Sequence, residues 1–340
     1  MKALTIAICV SILLVGSHAL GQTPEYRILD SLRLGGDGGW DYLAVDTTAQ
    51  RLYISRGTRV QVVNLATSTV AGEIAPTPGV HGIALAPGHR KGFISNGRDS
   101  SVTIFDLSSL SVITKLHIDA RNPDAIAYDP ASDRVFTFNG GSDNATAISA
   151  ESNTAVGTVP LGGKPEFAVV DGGRIYVNIE DESEVVEFDT KTLRILHRWP
   201  LAPGEEPSGL ALDRTRNRLF SVCRNKIMVV LDGQSGQIVS KVPIGGGVDG
   251  AAYDAVADLA FSSNGEGTLT VVRRDAGGTY SEGQTVQTRR GARTIVLDEQ
   301  THRLYTVAAK FGPPPASTAV RPRPRPAIEP GSVTLYVIGR

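Results

Sequence analysis

The chain has 340 residues, 41% of them hydrophobic and 20% charged, the composition of a globular protein rather than a disordered one. Lys and Arg total 34 against 35 Asp and Glu, so no basic surplus exists to neutralise a phosphate backbone, and nucleic acid is set aside as a partner. Of the two cysteines, Cys9 lies in an apolar leader and Cys223 stands alone, which leaves no internal disulfide, no Cys-x-x-Cys motif and no haem attachment.

Residues 1–21 carry one basic residue, Lys2, an apolar run from Ala3 to Val15, then small residues. That order is the order of a secretory signal peptide, with cleavage after Ala19 or Gly21, and it predicts a secreted or periplasmic mature chain. The run is shorter than the roughly 20 apolar residues a membrane helix needs, so no membrane span is expected after cleavage. The rest, 22–340, reads as one domain. It begins with "EYRILDSLRLGG", Glu25 to Gly36, a strand pattern with no partner beside it in sequence.

One phrase then recurs, as in "DAIAYDPASDRVFTFN", "GLALDRTRNRLFSV" and "TIVLDEQTHRLYTV". Its turn-starting position falls at Asp46, Ala86, Asp129, Asp171, Asp213, Asp254 and Asp298, spaced by 40, 43, 42, 42, 41 and 44 residues. Periods of that length belong to solenoids, propellers and arrays. Short runs of Val, Ile, Leu, Phe and Tyr between Gly, Pro, Asp, Asn and Ser are strand and turn signals, and helical periodicity is lacking. In the second unit "GIALA", "FISN", "SVTIFDL" and "SVITKLHI" read as four strands joined by turns. Such a meander cannot bury both faces alone, whereas sheets stacked radially around an axis can. The pattern predicts an all-β, seven-bladed β-propeller of four-stranded antiparallel blades. The seventh unit ends at "SVTLYVIGR", a third strand, so Glu25–Gly36 is expected to supply its fourth and close the ring, removing an open sheet edge.

The phrases "RLYIS", "RIYVN" and "RLFSV", followed by "VTIFDLSS" or "VVEFDTKT", resemble the repeats of YVTN-type β-propellers, the YncE-like proteins. The resemblance spans essentially all of the mature chain. It implies the propeller fold, in the wider company of WD40-like repeats, and names no chemistry, because the fold hosts many activities.

The residue five before each repeat position should stand at the mouth of an inner strand. These are Asp41, His81, Asp124, Glu166, Ser208, Asp249 and Arg293, which symmetry gathers into one ring at the channel opening. Arg56, Arg98, Arg224 and Lys310, near the ends of second strands, are expected to form a cationic rim on that face. Asn96, Asn139, Asn178 and Asn264 at similar positions read as structural, through Asx turns or left-handed backbone. Asp106, Asp189 and Asp232 read as turn formers between third and fourth strands. The last unit is interrupted by "GPPPASTAVRPRPRPAIEPG", 312–331, a Pro- and Arg-rich loop expected on the same face. It presents Arg321, Arg323 and Arg325 in an extended stretch suited to an acidic partner, or simply solvated.

Two functions stay open at this point, beside a purely structural assembly module that no feature of the sequence marks. One is a binding protein whose upper face takes a small molecule, a peptide, a polymer or another exported protein. The other is a metal-dependent hydrolase, lactonase or lyase, in which Asp41, His81, Asp124, Glu166 and Asp249 hold one divalent cation. Calcium, magnesium or manganese suits those oxygen-rich ligands, and no motif demands any other cofactor. Binding is the preferred reading, since the ring contains no recognisable catalytic triad. "GGGVDG", Gly245 to Gly250, matches a dinucleotide pattern in letters only, because a strand follows where a helix is required.

Overall fold

The computed structural model describes residues 25–316 and 326–340. The expected leader, 1–21, and Arg321, Arg323 and Arg325 therefore lie outside the described residues. Seven four-stranded antiparallel sheets stand in a ring, and the regular helix among the described residues is one 3-10 turn at Pro87–His89. No helix among them is long and apolar enough to cross a membrane. The second blade matches its expected parse, with strands Val80–Ala86, Lys91–Asn96, Ser101–Asp106 and Val112–His117. Arg27–Arg33 pairs antiparallel with Thr334–Gly339, so the last blade takes its outer strand from the beginning of the chain.

Burial grades outward across a blade. Second and third strands are almost wholly covered, as in Arg134–Asn139 and Asn144–Ser149, whereas the outer strand Val112–His117 is largely exposed. The third residue of each second strand is aromatic: Tyr53, Phe93, Phe136, Tyr176, Phe220, Phe261 and Tyr305. These rings pack between blades, with Tyr53 against Phe105, Phe136 against Phe188 and Phe220 stacked on Tyr253, at 5.7, 5.5 and 5.2 Å between centroids. Tyr26, beside the closing strand, meets Phe261 edge-on at 5.1 Å.

The rest of the repeated phrase has polar reasons. The Asp before the first turn accepts the backbone N–H groups that follow it, as Asp129 does from Ala131 and Ser132, and Asp254 from Val256 and Ala257. These Asx turns satisfy donors that a tight hairpin would otherwise leave bare. The basic residue that opens the second strand reaches sideways. Arg134 donates to the carbonyls of Thr190 and Lys191 in the next blade, at 2.7 and 2.9 Å, and Lys91 to Ala150 at 2.9 Å. Arg51 likewise ties the first blade to the Leu107 and Ser108 carbonyls of the second. The repeat thus encodes both the blade and the strap to its neighbour. Asp106, Asp189 and Asp232 serve as expected, each accepting from two successive turn amides.

Candidate functional site

Five of the seven inner strands carry an irregularity where they enter the channel, that of the second blade lying between Val80 and Ile83. Register shifts occur between Pro123 and Ile126, Pro165 and Ala168, Pro207 and Leu210, and Val248 and Gly250. Such bulges re-aim side chains. Hydroxyls of the second strands hold the entering backbone. Ser55 Oγ accepts from Asp41 N at 3.0 Å, Ser95 Oγ accepts from Gly82 N at 2.8 Å and donates to the Asp124 carbonyl, and Thr306 Oγ1 donates to the Thr294 carbonyl at 2.7 Å.

The expected ring forms, and its charges interlock. His81 Nδ1 lies 2.7 Å from Asp41 and 3.6 Å from Asp124. Arg293 bridges Asp249 through Nε at 2.5 Å and Asp41 through Nη2 at 3.2 Å. Asp41 therefore joins the imidazole on one side to the guanidinium on the other. Ser208 donates to the Val248 carbonyl at 3.2 Å. Asp124 and Glu166 stand next to each other with no cation between them in ring order; Lys164, two residues before Glu166, answers it at 2.6 Å and also pairs with Glu180.

Burial sets the titration of this ring. It pushes the Asp124 carboxyl up to about 6, with His81 pulling the other way and Asp41 and Asp249 adding to the rise. Glu166 is raised well above the usual carboxylate range by burial and then by the charge of Asp124, even with Lys164 in contact. Burial likewise raises Asp249, against the pull of Arg293. For His81 burial opposes the charged form, but the hydrogen bond to Asp41 and the charges of Asp124, Asp41 and Glu166 prevail, and its pKa rises.

A tyrosine packs across the ring. Tyr42, on the first blade, reaches the inner strand of the fourth and packs on Phe167, with centroids 5.4 Å apart. Burial and the surrounding carboxylates of Asp124, Glu166, Asp41 and Asp249 hold its hydroxyl well above its ordinary pKa. At the ring opens a cavity of about 780 Å³, which Tyr42, Phe167, Asp41, His81 and Asp124 do not line. Glu166, Ser208, Asp249 and Arg293 belong to its lower wall, and Trp40, Phe311 and Ile328 form an apolar side. The mouth is thus a cup, polar below and aromatic on one flank.

The rim differs from the expectation. Arg56 is fully buried, not exposed: it donates to Gln61 Oε1 at 2.8 Å and to the Gly35 and Asp37 carbonyls at 3.0 and 3.2 Å. It braces the loop between the closing strand and the first blade, and burial lowers its pKa to about 10. Arg98 and Lys310 are exposed but do not line the cup. Arg224 does line it, paired with Glu206. The asparagines are structural by a different route from Asx turns. Asn96, Asn139 and Asn264 are buried and donate to hydroxyls of the third strand, such as Thr103, Thr146 and Thr270, while Asn178 donates to the Ser208 and Gly209 carbonyls. The base of the loop insertion stands on this face, with Phe311, Pro326 and Ile328 lining the cup. That base is a two-stranded stem, with Gly312 N donating to Ala327 O and Glu329 N to Lys310 O, both at 2.9 Å, and Phe311 tilted against Trp40.

In three dimensions the chain is similar to Kuenenia stuttgartiensis hydrazine synthase, with a TM-score of 0.71 and 15% identity over 80% of this chain and 94% of that one. The likeness is one of fold. No family model matches the chain, and no curated protein matches it in sequence.

Proposed function

We propose that this is an exported β-propeller binding protein that seats a small ligand in the cup at its channel mouth. The repeat phrases make the YncE-like propellers its family reading, and the leader at 1–21 is the basis for export. One observation carries the binding reading: a cavity of about 780 Å³ with charged groups below and Trp40, Phe311 and Ile328 on its side. Binding pockets for small molecules run from roughly 300 to 1,000 Å³ and combine apolar walls with a few placed polar groups. Gly39 lies in this wall, and a Cβ there would meet only Ile328 Cδ1, at 3.9 Å. Gly39→Phe therefore fills the cup without straining the backbone. A thermal-shift screen of chemically varied small molecules should yield ligands for the wild type that Gly39→Phe loses. Ligands retained by the variant, or none for the wild type, refute the reading.

A second reading rests on Asp41, His81 and Asp124, whose ligand atoms lie within 4.8 Å of one another. A divalent cation there, flanked by Glu166 and Asp249, would polarise a carbonyl or a water, the chemistry of a lactonase or other metal-dependent hydrolase or lyase. His81 would first have to lose its proton, so affinity should increase from pH 6 to pH 8. Calorimetry with manganese on wild type and Asp124→Asn tests this. Absence of binding at millimolar metal, or equal binding by both proteins, removes it.

A further inference from the structure

The cup has two unlike walls. The fourth and fifth blades contribute Glu166, Glu180, Glu206 and Ser208. The seventh and first blades, across the ring, contribute Arg290 and Arg293 together with Trp40 and Phe311. The sequence carries the same polarity, with "EDESE" at 180–184 and "GEE" at 204–206 on one side and "RRGAR" at 289–293 on the other.

Which of these charges is already answered decides what the walls can take. Lys164 is shared between Glu166 and Glu180, and Arg224 pairs with Glu206, so three carboxylates have two cations between them. Asp124 adds a fourth acid beside Glu166, and the raised pKa of Glu166 reflects burial together with that neighbour. On the far wall Arg293 is held by Asp249 and Asp41. Arg290 is exposed and has no ion pair among the described residues. Trp40 is only 7% exposed, and its indole N–H has no acceptor among the described residues.

A purely cationic ligand leaves Arg290 unanswered, and a purely anionic one meets the acidic wall. We infer that the cup takes a zwitterion with an apolar body, of the chemistry of a short peptide with free termini. Its ammonium group lies at the Glu166, Glu180 and Glu206 wall, its carboxylate at Arg290, and its apolar side chain against Trp40 and Phe311. The inference rests on the binding reading above and names the ligand class for the same site.

The probes are the dipeptide Ala-Phe, its N-acetyl form and its C-terminal amide, titrated by calorimetry into the full mature protein. Each blocked form loses one charge-assisted contact and should bind about tenfold more weakly than the free dipeptide. Arg290→Gln should erase the difference between free and amidated peptide, and Glu166→Gln the difference between free and acetylated peptide. Melting curves of both variants check that they fold. Equal affinity for all three forms overturns the zwitterion, as does failure of the free dipeptide to bind. If screening ligands still depend on an open Gly39 cup, only this inference falls. Dipeptide binding that survives in Gly39→Phe overturns both.

Discussion

Asp124→Asn isolates the electrostatic cost of the ring. In the unfolded chain this carboxyl titrates near its ordinary 3.8, and in the fold near 6. A raised carboxyl pKa means the native state holds the proton more tightly than the unfolded state does. Stability from this group is therefore fully present below pH 4 and is lost as pH rises through about 6. A shift of about two units corresponds to about 3 kcal/mol for an isolated group. Asp124 titrates together with His81 and Glu166, so about half of that, ~1.5 kcal/mol, is assigned to it alone. Asparagine keeps the shape and carries no charge, and His81 keeps its 2.7 Å contact with Asp41. At pH 8 the variant should be the more stable protein, melting about 2–3 °C higher for a chain of this size. At pH 4.5 the gain should vanish, because the native aspartate is then already neutral. Melts of both proteins at pH 4.5, 6 and 8 read the difference directly. A variant destabilised equally at every pH, or most at pH 8, would refute the claim that the ring holds uncompensated negative charge.

Arg56→Lys should cost about 3 kcal/mol in urea unfolding, because a compact ammonium cannot serve Gln61 and two loop carbonyls from one buried position. Arg98→Ala, at an exposed turn, should stay within about 0.5 kcal/mol. Tyr42→Ala should lose about 3 kcal/mol by leaving Phe167 facing a void, whereas Tyr42→Phe should cost less than about 1 kcal/mol, and comparison of the two separates packing from the hydroxyl. Deleting residues 22–33 removes the outer strand of the last blade, and size-exclusion chromatography should then show self-association through the bared edge strand.

The fold was legible because its determinants repeat. Seven copies of one phrase, six with a turn Asp, six with a basic residue opening the second strand and all seven with an aromatic two positions later, state blade number, strand order and blade contact together. The closing strand was legible by subtraction, since Thr334–Gly339 ends the chain one strand short and Arg27–Arg33 has no other partner. Arg56 ends its second strand, as Asn96, Asn139, Cys223, Asn264 and Ala308 end theirs, and all of these are buried. Arg98, Arg224 and Lys310 stand one or two residues beyond the strand end, so grouping Arg56 with them is an error of register. What the repeat does not reach are the partners of Arg56, because the Gly35–Asp37 loop whose carbonyls answer the guanidinium is present only where the ring closes.

Periodicity also explains what it hid at the site. It identified which seven side chains meet, but not how their charges combine, because Asp41 serving His81 and Arg293 at once depends on neighbours 40 and 252 residues away. The Tyr42–Phe167 contact had a signal of its own. The residue after each ring position is Tyr42, Gly82, Ala125, Phe167, Gly209, Gly250 or Thr294, small in five blades and aromatic in two. Smallness is required where inner strands crowd together: a Cβ on Gly209 would lie 2.7 Å from Ala251 N, and one on Gly82 3.1 Å from Ile126 N. The two aromatics break that rule in the first and fourth blades, nearly opposite each other, and only there can two large side chains meet across the axis. A break in the repeat at a position that geometry otherwise keeps small brings two large side chains together across the axis. Lys164, Glu180 and Arg290 are further departures from symmetry on that face. The repeated residues build the ring, and the unrepeated ones give the cup its two unlike walls.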